Sequence, residues 1–489
     1  MGRVLAVFPL VCTALLPLPA IAADNAEITV LREELDLLRT DYERRISDLE
    51  RRLAEAELAQ GQPAVTTLPA QAQSERQGIA ASRPVMGRVS SGNAFNPQTS
   101  VILNGNYYYD DVDGTGAELL SGALQPSQAG HAHAHEGHAH DGAENGFNFS
   151  EAELAFSASV DPYFDAATYL AIDSDGEVDL EEAWFSTRRL PWGLQFKGGK
   201  FYSDFGYINN QHPHQWDFSN QNLAYLNLLG DHGLQDTGLQ LTWLPDWPLY
   251  TLLGTELLQG EQERFGALID DGDEREALDL DDADDGPRLW TAYLKVSPDL
   301  GFDHALQLGA SFAHSRQHQE IHGADHDHTA GAEQGLEGDA DLWGLDLVYK
   351  YDNQAPYGHR DFKLQTEYLR SIKDLDISGG SEAGIGSRRE LTTDGLYVQG
   401  LYGVAPRWQV ALRYDTLGPT NQVRGGERSD FDSSQRWTAA LAWLPTEFSL
   451  LRLQYEYSDI QLQTGGSEHF NALWLQFIMS MGTHGAHAF

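Results

Sequence analysis

The chain of 489 residues carries 73 acidic and 32 basic side chains, a formal net charge of −41 at pH 7. An acidic exterior attracts cations and repels anions, so we expect no nucleic-acid partner. The single cysteine, Cys12, lies in a predicted secretion signal, which excludes disulfides, thiol catalysis and thiolate metal sites from the mature chain.

Residues 1–22 predict a secretory signal peptide. Arg3 supplies the positive start, residues 4–18 supply a short apolar region, and Ala20-Ile21-Ala22 offers a small-residue cleavage site. No other segment reaches the run of about 18 apolar residues that a transmembrane helix needs. An exported chain that stays in a membrane must then be a closed barrel, which in a Gram-negative cell means the outer membrane.

Residues 23–60 predict a periplasmic α-helical coiled coil. Apolar residues recur there every three or four positions, with one irregularity near Tyr42: Ile28, Leu31, Leu35, Leu38, Tyr42, Ile46, Leu49 and Leu53. The alternative is a solitary amphipathic helix, but a lone helix of this length is marginal in water, so association is expected. The spacing does not fix the number of helices. Residues 61–98 lack periodicity and predict a flexible linker.

Residues 99–489 alternate between apolar and polar side chains in many short segments. In residues 447–459, one side of an extended chain carries Leu451, Leu453, Tyr455 and Tyr457, and the other carries Arg452, Gln454, Glu456 and Ser458. Strict period-two alternation indicates a strand with different solvents on its two faces. Its repetition to the C-terminus predicts a transmembrane barrel with lipid outside and water inside.

Sixteen such segments predict an all-β, antiparallel outer-membrane barrel. The expected strands are 99–110, 146–160, 164–174, 178–189, 194–202, 236–244, 248–258, 288–297, 302–314, 340–351, 359–371, 390–402, 408–416, 433–444, 447–458 and 468–482. Short connections with proline or glycine, such as Asp161-Pro162-Tyr163, alternate with long polar ones. This is the layout of short periplasmic turns and long external loops.

Two histidine-rich tracts are predicted to be external connections that capture metal loosely. The first tract, within residues 111–145, contains His131, His133, His135, His138 and His140. The second, residues 314–328, contains His314, His318, His322, His326 and His328, of which the first three would share one face if the tract were helical. Neutral imidazole binds zinc, copper or nickel, yet no fixed tetrahedral site is encoded. No cofactor is required; loosely bound zinc or another divalent cation is expected, and the alternative is a solvated loop that binds nothing.

The connection of residues 203–235 is predicted to fold into the barrel lumen. It is less polar than the other long connections, and its aromatic and aliphatic side chains need burial. A loop packed inside the barrel provides that burial. His212, His214, Asp217 and His232 would then lie near the pore constriction. The alternative is an external loop that caps its neighbours.

The predicted lumen carries charges of both signs and therefore does not indicate whether cations or anions are preferred. The inward positions are Lys197, Lys295, Asp346, Lys350, Lys363, Glu367, Arg413, Asp415, Arg452 and Glu456. Residues 261–285 carry twelve acidic groups and predict a solvated loop that attracts cations to the pore mouth. No motif for nucleophilic, nucleotide or metallopeptidase chemistry is present, so we do not expect an enzyme.

Several short motifs resemble known outer-membrane families. Glu181-Glu182-Ala183-Trp184-Phe185, Gly199-Lys200-Phe201 and Phe205-Gly206 resemble the phosphate-selective porin O/P group, which implies a trimeric diffusion channel. Residues 211–217 and 485–487 resemble a narrower histidine-rich family whose members are often labelled zinc-regulated or TonB-dependent receptors. That second resemblance implies an association with zinc.

The function expected from the sequence is passive diffusion of small solutes, with cations favoured and zinc uptake assisted by the histidine-rich loops. One alternative is a TonB-dependent metal receptor, which needs a plug of on the order of 100 residues inside a 22-stranded barrel. Another is a general or anion porin whose histidines only buffer metal. A surface tether or metal buffer without channel activity is the third.

Overall fold

The computed structural model describes residues 97–112, 116, 119–120, 143–188, 190–322, 334–380, 384–420, 422–424, 433–462 and 466–482. The predicted signal peptide and coiled coil lie outside these residues, as do nearly all of the linker and the histidines at 131–140, 326 and 328. No helix in the described part of the chain is long and apolar enough to cross a membrane.

The described residues form one closed antiparallel sheet. Its strands are β1 (Gln98–Asp110), β2 (Gly146–Ser159), β3 (Phe164–Ile172), β4 (Val178–Thr187), β5 (Leu194–Tyr202), β6 (Gln235–Trp243), β7 (Tyr250–Leu258), β8 (Leu289–Ser297), β9 (His304–His322), β10 (Gln334–Tyr351), β11 (Phe362–Gly380), β12 (Arg388–Ala405), β13 (Trp408–Leu417), β14 (Gln422–Arg424), β15 (Ser434–Thr446), β16 (Ser449–Gln461) and β17 (Ser467–Gly482). β1 pairs with both β2 and β17, which closes the barrel. The three-residue β14 pairs with β12 beyond the end of β13, so the wall contains the sixteen predicted strands.

The barrel wall separates an apolar outer face from a polar inner face. On β16, Arg452, Gln454 and Glu456 are buried. The alternate residues Leu453 and Tyr455 are 46% and 50% exposed. Tryptophans near the short turns also face outward, as in the stacked pair Trp408 and Trp443, whose ring centroids lie 6.0 Å apart. The alternation predicted from the sequence is therefore present, and it is the pattern of a lipid-facing barrel.

β9, β10 and β11 are longer than predicted. β9 ends at His322, so the expected connection at 314–328 is wrong over residues 314–322, which are strand. The extension rises past β8, whose pairing with β9 stops at Ser315. The connection between β7 and β8 accompanies this free edge: the Gln319 N–H donates to the Ala267 carbonyl at 2.8 Å. Ile321 of the extension is also buried against Ile269, Leu278 and Leu280 of this connection, so the connection covers the free edge.

The largest hydrophobic core lies inside the barrel. Ten of its 26 buried residues come from the segment between β5 and β6, including Phe205, Leu223, Tyr225 and Leu229. Helix α1 (Leu223–Leu228) lies in this segment, and the side chain of Asn222 caps it by accepting the Tyr225 N–H at 3.0 Å. A second short helix, α2 (Gly272–Ala277), lies in the connection between β7 and β8.

Candidate cation site on the inward-folded loop

Residues 203–234, named the plug loop here, fold into the barrel and cross to the opposite wall. Glu367 on β11 binds its first half, accepting the Tyr207 N–H at 2.8 Å and the Ile208 N–H at 3.0 Å. The same carboxylate accepts the Tyr225 hydroxyl at 2.9 Å. Because β11 is six strands along the wall from β5, the loop spans the lumen rather than capping its mouth.

Three arginines of the wall hold the backbone of the plug loop. Arg413 donates to the Asn220 carbonyl at 2.9 Å, and Arg452 donates to the Trp216 carbonyl at 2.8 Å. Arg436 donates to the Gln221 carbonyl. Arg413 and Arg452 belong to the charges predicted to face the lumen, and both are buried. Their charge therefore anchors the loop instead of lining an open passage.

Glycines of the wall allow close approach of the plug loop. A Cβ atom on Gly395 of β12 would lie 2.7 Å from the Cβ of Ala224 in α1. One on Gly344 of β10 would lie 2.9 Å from the ring of Phe205. The loop is thus tightly packed against the wall where these residues meet.

A cluster of four glutamates and two histidines lies where the plug loop passes β2 and β4. We call it the acid–histidine cluster; its members are Glu151, Glu153, Glu181, Glu182, His212 and His214, and all six are buried. The inward face of β2 supplies Glu151 and Glu153. A register shift between β3 and β4 at Tyr169 lets the consecutive residues Glu181 and Glu182 both turn inward.

The carboxylates of the cluster converge on the His212 ring. Its Nε2 lies 2.9 Å from Glu182 Oε1, while its Nδ1 lies 3.0 Å from Glu153 Oε2 and 3.3 Å from Glu181 Oε2. The Nδ1 of His214 lies 3.2 Å from the same Glu153 oxygen. An imidazole nitrogen and two carboxylate oxygens at these separations are a donor set that can hold a divalent cation.

Local structure fixes the orientation of both histidine rings. Pro213 begins a one-turn 3-10 helix, Pro213–Gln215, because its φ is preset for that turn. The rings of His212 and His214 are thereby held with centroids 5.8 Å apart. Tyr169 and Tyr202 pack against His212 at centroid distances of 4.8 and 5.2 Å.

The pKa of His212 reflects the carboxylates that surround its ring. Burial by itself lowers the pKa of His212, but Glu153 and Glu181 outweigh it and hold the pKa well above its ordinary value. The position therefore favours positive charge.

The four residues predicted to form the constriction divide into three environments. His212 and His214 share the acid–histidine cluster. Asp217 has different partners: its Oδ2 pairs with Lys363 Nζ at 2.7 Å and accepts from Gln399 Nε2 at 2.6 Å. His232 is partly exposed and lies 3.5 Å from Glu263. A role of these four residues in the constriction stays a prediction.

The histidines of β9 do not share one face, contrary to the helical expectation for 314–328. A bulge between Ser315 and His318 changes the side to which alternate residues point. His314 lies on the outer face, where its Nδ1 pairs with Asp341 at 2.8 Å. His318 and His322 lie on the inner side with Glu320, and Glu320 also binds Lys373.

The sequence reasoning missed the four glutamates of the acid–histidine cluster as site residues. A signal existed for one pair: two consecutive charged residues, Glu181 and Glu182, interrupt the alternation within a predicted strand. That interruption indicates a bulge with both side chains on one face. Nothing in the sequence connected this pair with His212, which lies 30 residues away from Glu182.

Comparisons with known proteins find a family and a relative. The family described as phosphate-selective porin O and P matches residues 295–478, a segment that excludes the acid–histidine cluster. A protein of Aquifex aeolicus (strain VF5), described as an uncharacterized protein, is 34% identical over 407 residues, covering 82% of this chain and 81% of that protein.

Solved outer-membrane proteins show a weaker likeness. The channel DcaP of Acinetobacter baumannii is 13% identical with a TM-score of 0.47, covering 79% of this chain and 96% of DcaP. The anion-selective porin of Comamonas acidovorans is 11% identical with a TM-score of 0.44, covering 79% and 99% of the two chains. OmpT of Vibrio cholerae in its trimer form is 11% identical with a TM-score of 0.46, covering 79% and 99%.

Proposed function

The chain belongs to one family with the Aquifex aeolicus protein and matches the phosphate-selective porin O and P family over residues 295–478, and we propose that it is a passive diffusion channel favouring cations. The protein is a porin-like β-barrel of the outer membrane. Its sixteen-stranded wall differs from the 22 strands expected of a TonB-dependent receptor.

The acid–histidine cluster carries the proposal of cation preference. It places four carboxylates on the inner side of the wall, beside a loop that spans the lumen. The arginines on the other side of the loop are occupied by backbone carbonyls and by Asp415, which Arg413 and Arg436 bind at 3.0 and 3.3 Å. The carboxyl groups of the cluster outnumber its imidazoles, and this net negative charge supports a preference for cations over anions.

Single-channel recording of the full-length protein in planar bilayers tests this function. In a potassium chloride gradient, we expect stepwise conductance with a reversal potential on the cation-selective side. Absence of conductance would refute a channel, and an anion-selective reversal potential would refute the preference. Replacing residues 211–229 with glycine and serine at equal length should increase conductance, because this segment fills the lumen. The same replacement over residues 131–140 is the matched control.

We also propose that the external histidines assist the uptake of divalent metal, zinc in particular. The support is compositional: residues 131–140 carry five histidines, and residues 323–333, which contain the end of the second tract, carry two, His326 and His328. Replacing both segments with glycine and serine should reduce zinc binding to intact cells and growth under zinc limitation. Unchanged binding and growth would leave the protein a general porin. Uptake that requires an energised membrane would instead favour a TonB-dependent mechanism.

A homotrimer is the assembly we propose. The support is the heptad pattern of residues 23–60, for which association is the physical explanation. Light scattering and cross-linking of the full chain in detergent should give three copies. Replacing Leu35 and Leu49 with aspartate should yield monomers if the seam drives assembly, and trimers that survive both changes would contradict that role.

A further inference from the structure

We propose that the acid–histidine cluster is a binding site for one divalent transition-metal ion, best fitted by zinc, with His212, Glu153 and Glu181 as its ligands. The proposal rests on the proposed function in one respect only, since the ion must be able to enter the barrel. Each of the three residues offers one ligand atom, and these atoms all lie within 4.8 Å of one another.

The spacing of the ligand atoms is close to that of a zinc site. Zinc binds nitrogen and oxygen at about 2.0–2.2 Å, which puts the corners of a tetrahedron about 3.4 Å apart. The Nδ1 of His212 lies 3.0 Å from Glu153 Oε2 and 3.3 Å from Glu181 Oε2. Both separations lie within a few tenths of an ångström of that spacing, and the ligand atoms of all three residues lie within 4.8 Å of one another.

The hydrogen bond on the far side of the His212 ring selects the required tautomer. Nε2 lies 2.9 Å from Glu182 Oε1, so it carries the proton and donates it. The other ring nitrogen, Nδ1, faces the two carboxylate oxygens, and a metal ion that binds there takes the place of a proton. A carboxylate that orients the distal nitrogen of a histidine ligand is the usual outer partner in zinc sites.

Three buried polar atoms of the cluster make no hydrogen bond, and this observation is independent of the cluster's charge. His212 Nδ1, His214 Nδ1 and Glu153 Oε2 are buried and make ion-pair contacts without hydrogen-bond geometry. His212 is only 4% exposed and Glu153 only 1% exposed, so bulk water does not complete their coordination. Three polar atoms aimed at one another in this way are arranged for a shared ligand.

Charge and ligand type select the class of ion. The cluster holds four carboxyl groups and two imidazoles, so even with both imidazoles protonated and one glutamate neutral its net charge is negative and favours a bound cation. Calcium and magnesium prefer sites made of oxygen alone, whereas mixed imidazole and carboxylate ligands suit zinc, and also nickel and copper. The bound ion would join His212 of the plug loop to β2 and β4, and so fix the loop to the wall.

Zinc stoichiometry of the full-length protein tests the site. The detergent-solubilised protein is dialysed against zinc in a chelating buffer, and bound zinc is measured per chain. We expect His212→Gln to lose one ion relative to the natural chain. The double variant Glu153→Gln with Glu181→Gln, which preserves side-chain size, should lose the same ion. His322→Gln is the matched control, because His322 also pairs with a buried glutamate, and it should lose none.

Two further measurements make the result decisive. The variants are first checked for folding by circular dichroism. Added zinc should then raise the unfolding temperature of the natural chain and of His322→Gln. The rise should be smaller in His212→Gln and in the double variant. The site is refuted if folded His212→Gln and the double variant keep the natural zinc stoichiometry, or if His322→Gln loses the same ion. Conductance without zinc tests the channel separately, so failure of one proposal is distinguishable from failure of the other.

Discussion

Two buried clusters in this barrel combine a pair of histidines with glutamate, yet their charge balance is opposite. In the acid–histidine cluster, four glutamates surround His212 and His214. In the second cluster, named the lysine-balanced cluster, His318 and His322 approach the two oxygens of Glu320 at 2.9 and 2.8 Å, and Lys373 binds the same carboxylate. A single carboxylate with a lysine needs no metal. The difference teaches that histidine content alone does not indicate a cation site.

Removing the lysine should have the largest effect. Lys373→Met leaves Glu320 buried without its ammonium partner, and breaking such a pair costs about 3 kcal/mol of unfolding free energy or more. Zinc should recover part of this loss, because the variant has two imidazoles and one unbalanced carboxylate. The measurement is urea unfolding in lipid vesicles with and without zinc. Lys373→Arg, which keeps the charge, is the control, and a Met variant as stable as the natural chain would contradict the comparison.

The next largest effect is expected from loosening the plug loop. The acid–histidine cluster needs this loop in place, whereas the lysine-balanced cluster is built entirely from strands. Gly395→Val forces a side chain against Ala224 of α1, and such overpacking costs about 1–3 kcal/mol. Conductance should rise, and zinc affinity at the acid–histidine cluster should fall.

Gly400→Val is the matched control for this change. It lies on the same strand, and a Cβ there would have no neighbour closer than 4.0 Å. It should leave conductance and zinc binding as they are. Equal effects of the two substitutions on conductance and zinc binding would show that they arise from a change in the strand and not from the packing of α1 against it.

A smaller effect is expected from the outer partner of His212. Glu182→Gln keeps an oxygen that can accept the Nε2 proton but removes the negative charge that increases the basicity of the ring. Loss of an outer partner typically weakens metal affinity by about 10-fold or more. Zinc titration against a competing chelator measures the change. Glu261→Gln, an exposed acid outside the cluster, should leave the affinity unchanged; weakening by both would point to overall charge instead.

The sequence predicted the wall of the barrel well because alternation is a local signal. The sixteen strands follow from it, and the apolar residues of the plug loop predicted burial inside the lumen. The acid–histidine cluster and the lysine-balanced cluster were harder to predict from the sequence, because both depend on bulges. Simple alternation puts Glu181 and Glu182 on opposite faces, and the register shift beside Tyr169 puts both inside. The pairing of these residues with His212 is a contact between distant segments, which no periodicity records.

The smallest effect is expected from His314, which the sequence grouped with His318 and His322. The bulge in β9 separates them, and His314 pairs with Asp341 on the outer face. The two side chains are 27% and 41% exposed, and ion pairs this exposed contribute about 0–1 kcal/mol. His314→Ala should therefore change the unfolding free energy by less than about 1 kcal/mol and leave zinc stoichiometry unchanged. Loss of an ion from this variant would contradict the assignment of His314 to an exposed ion pair without a metal.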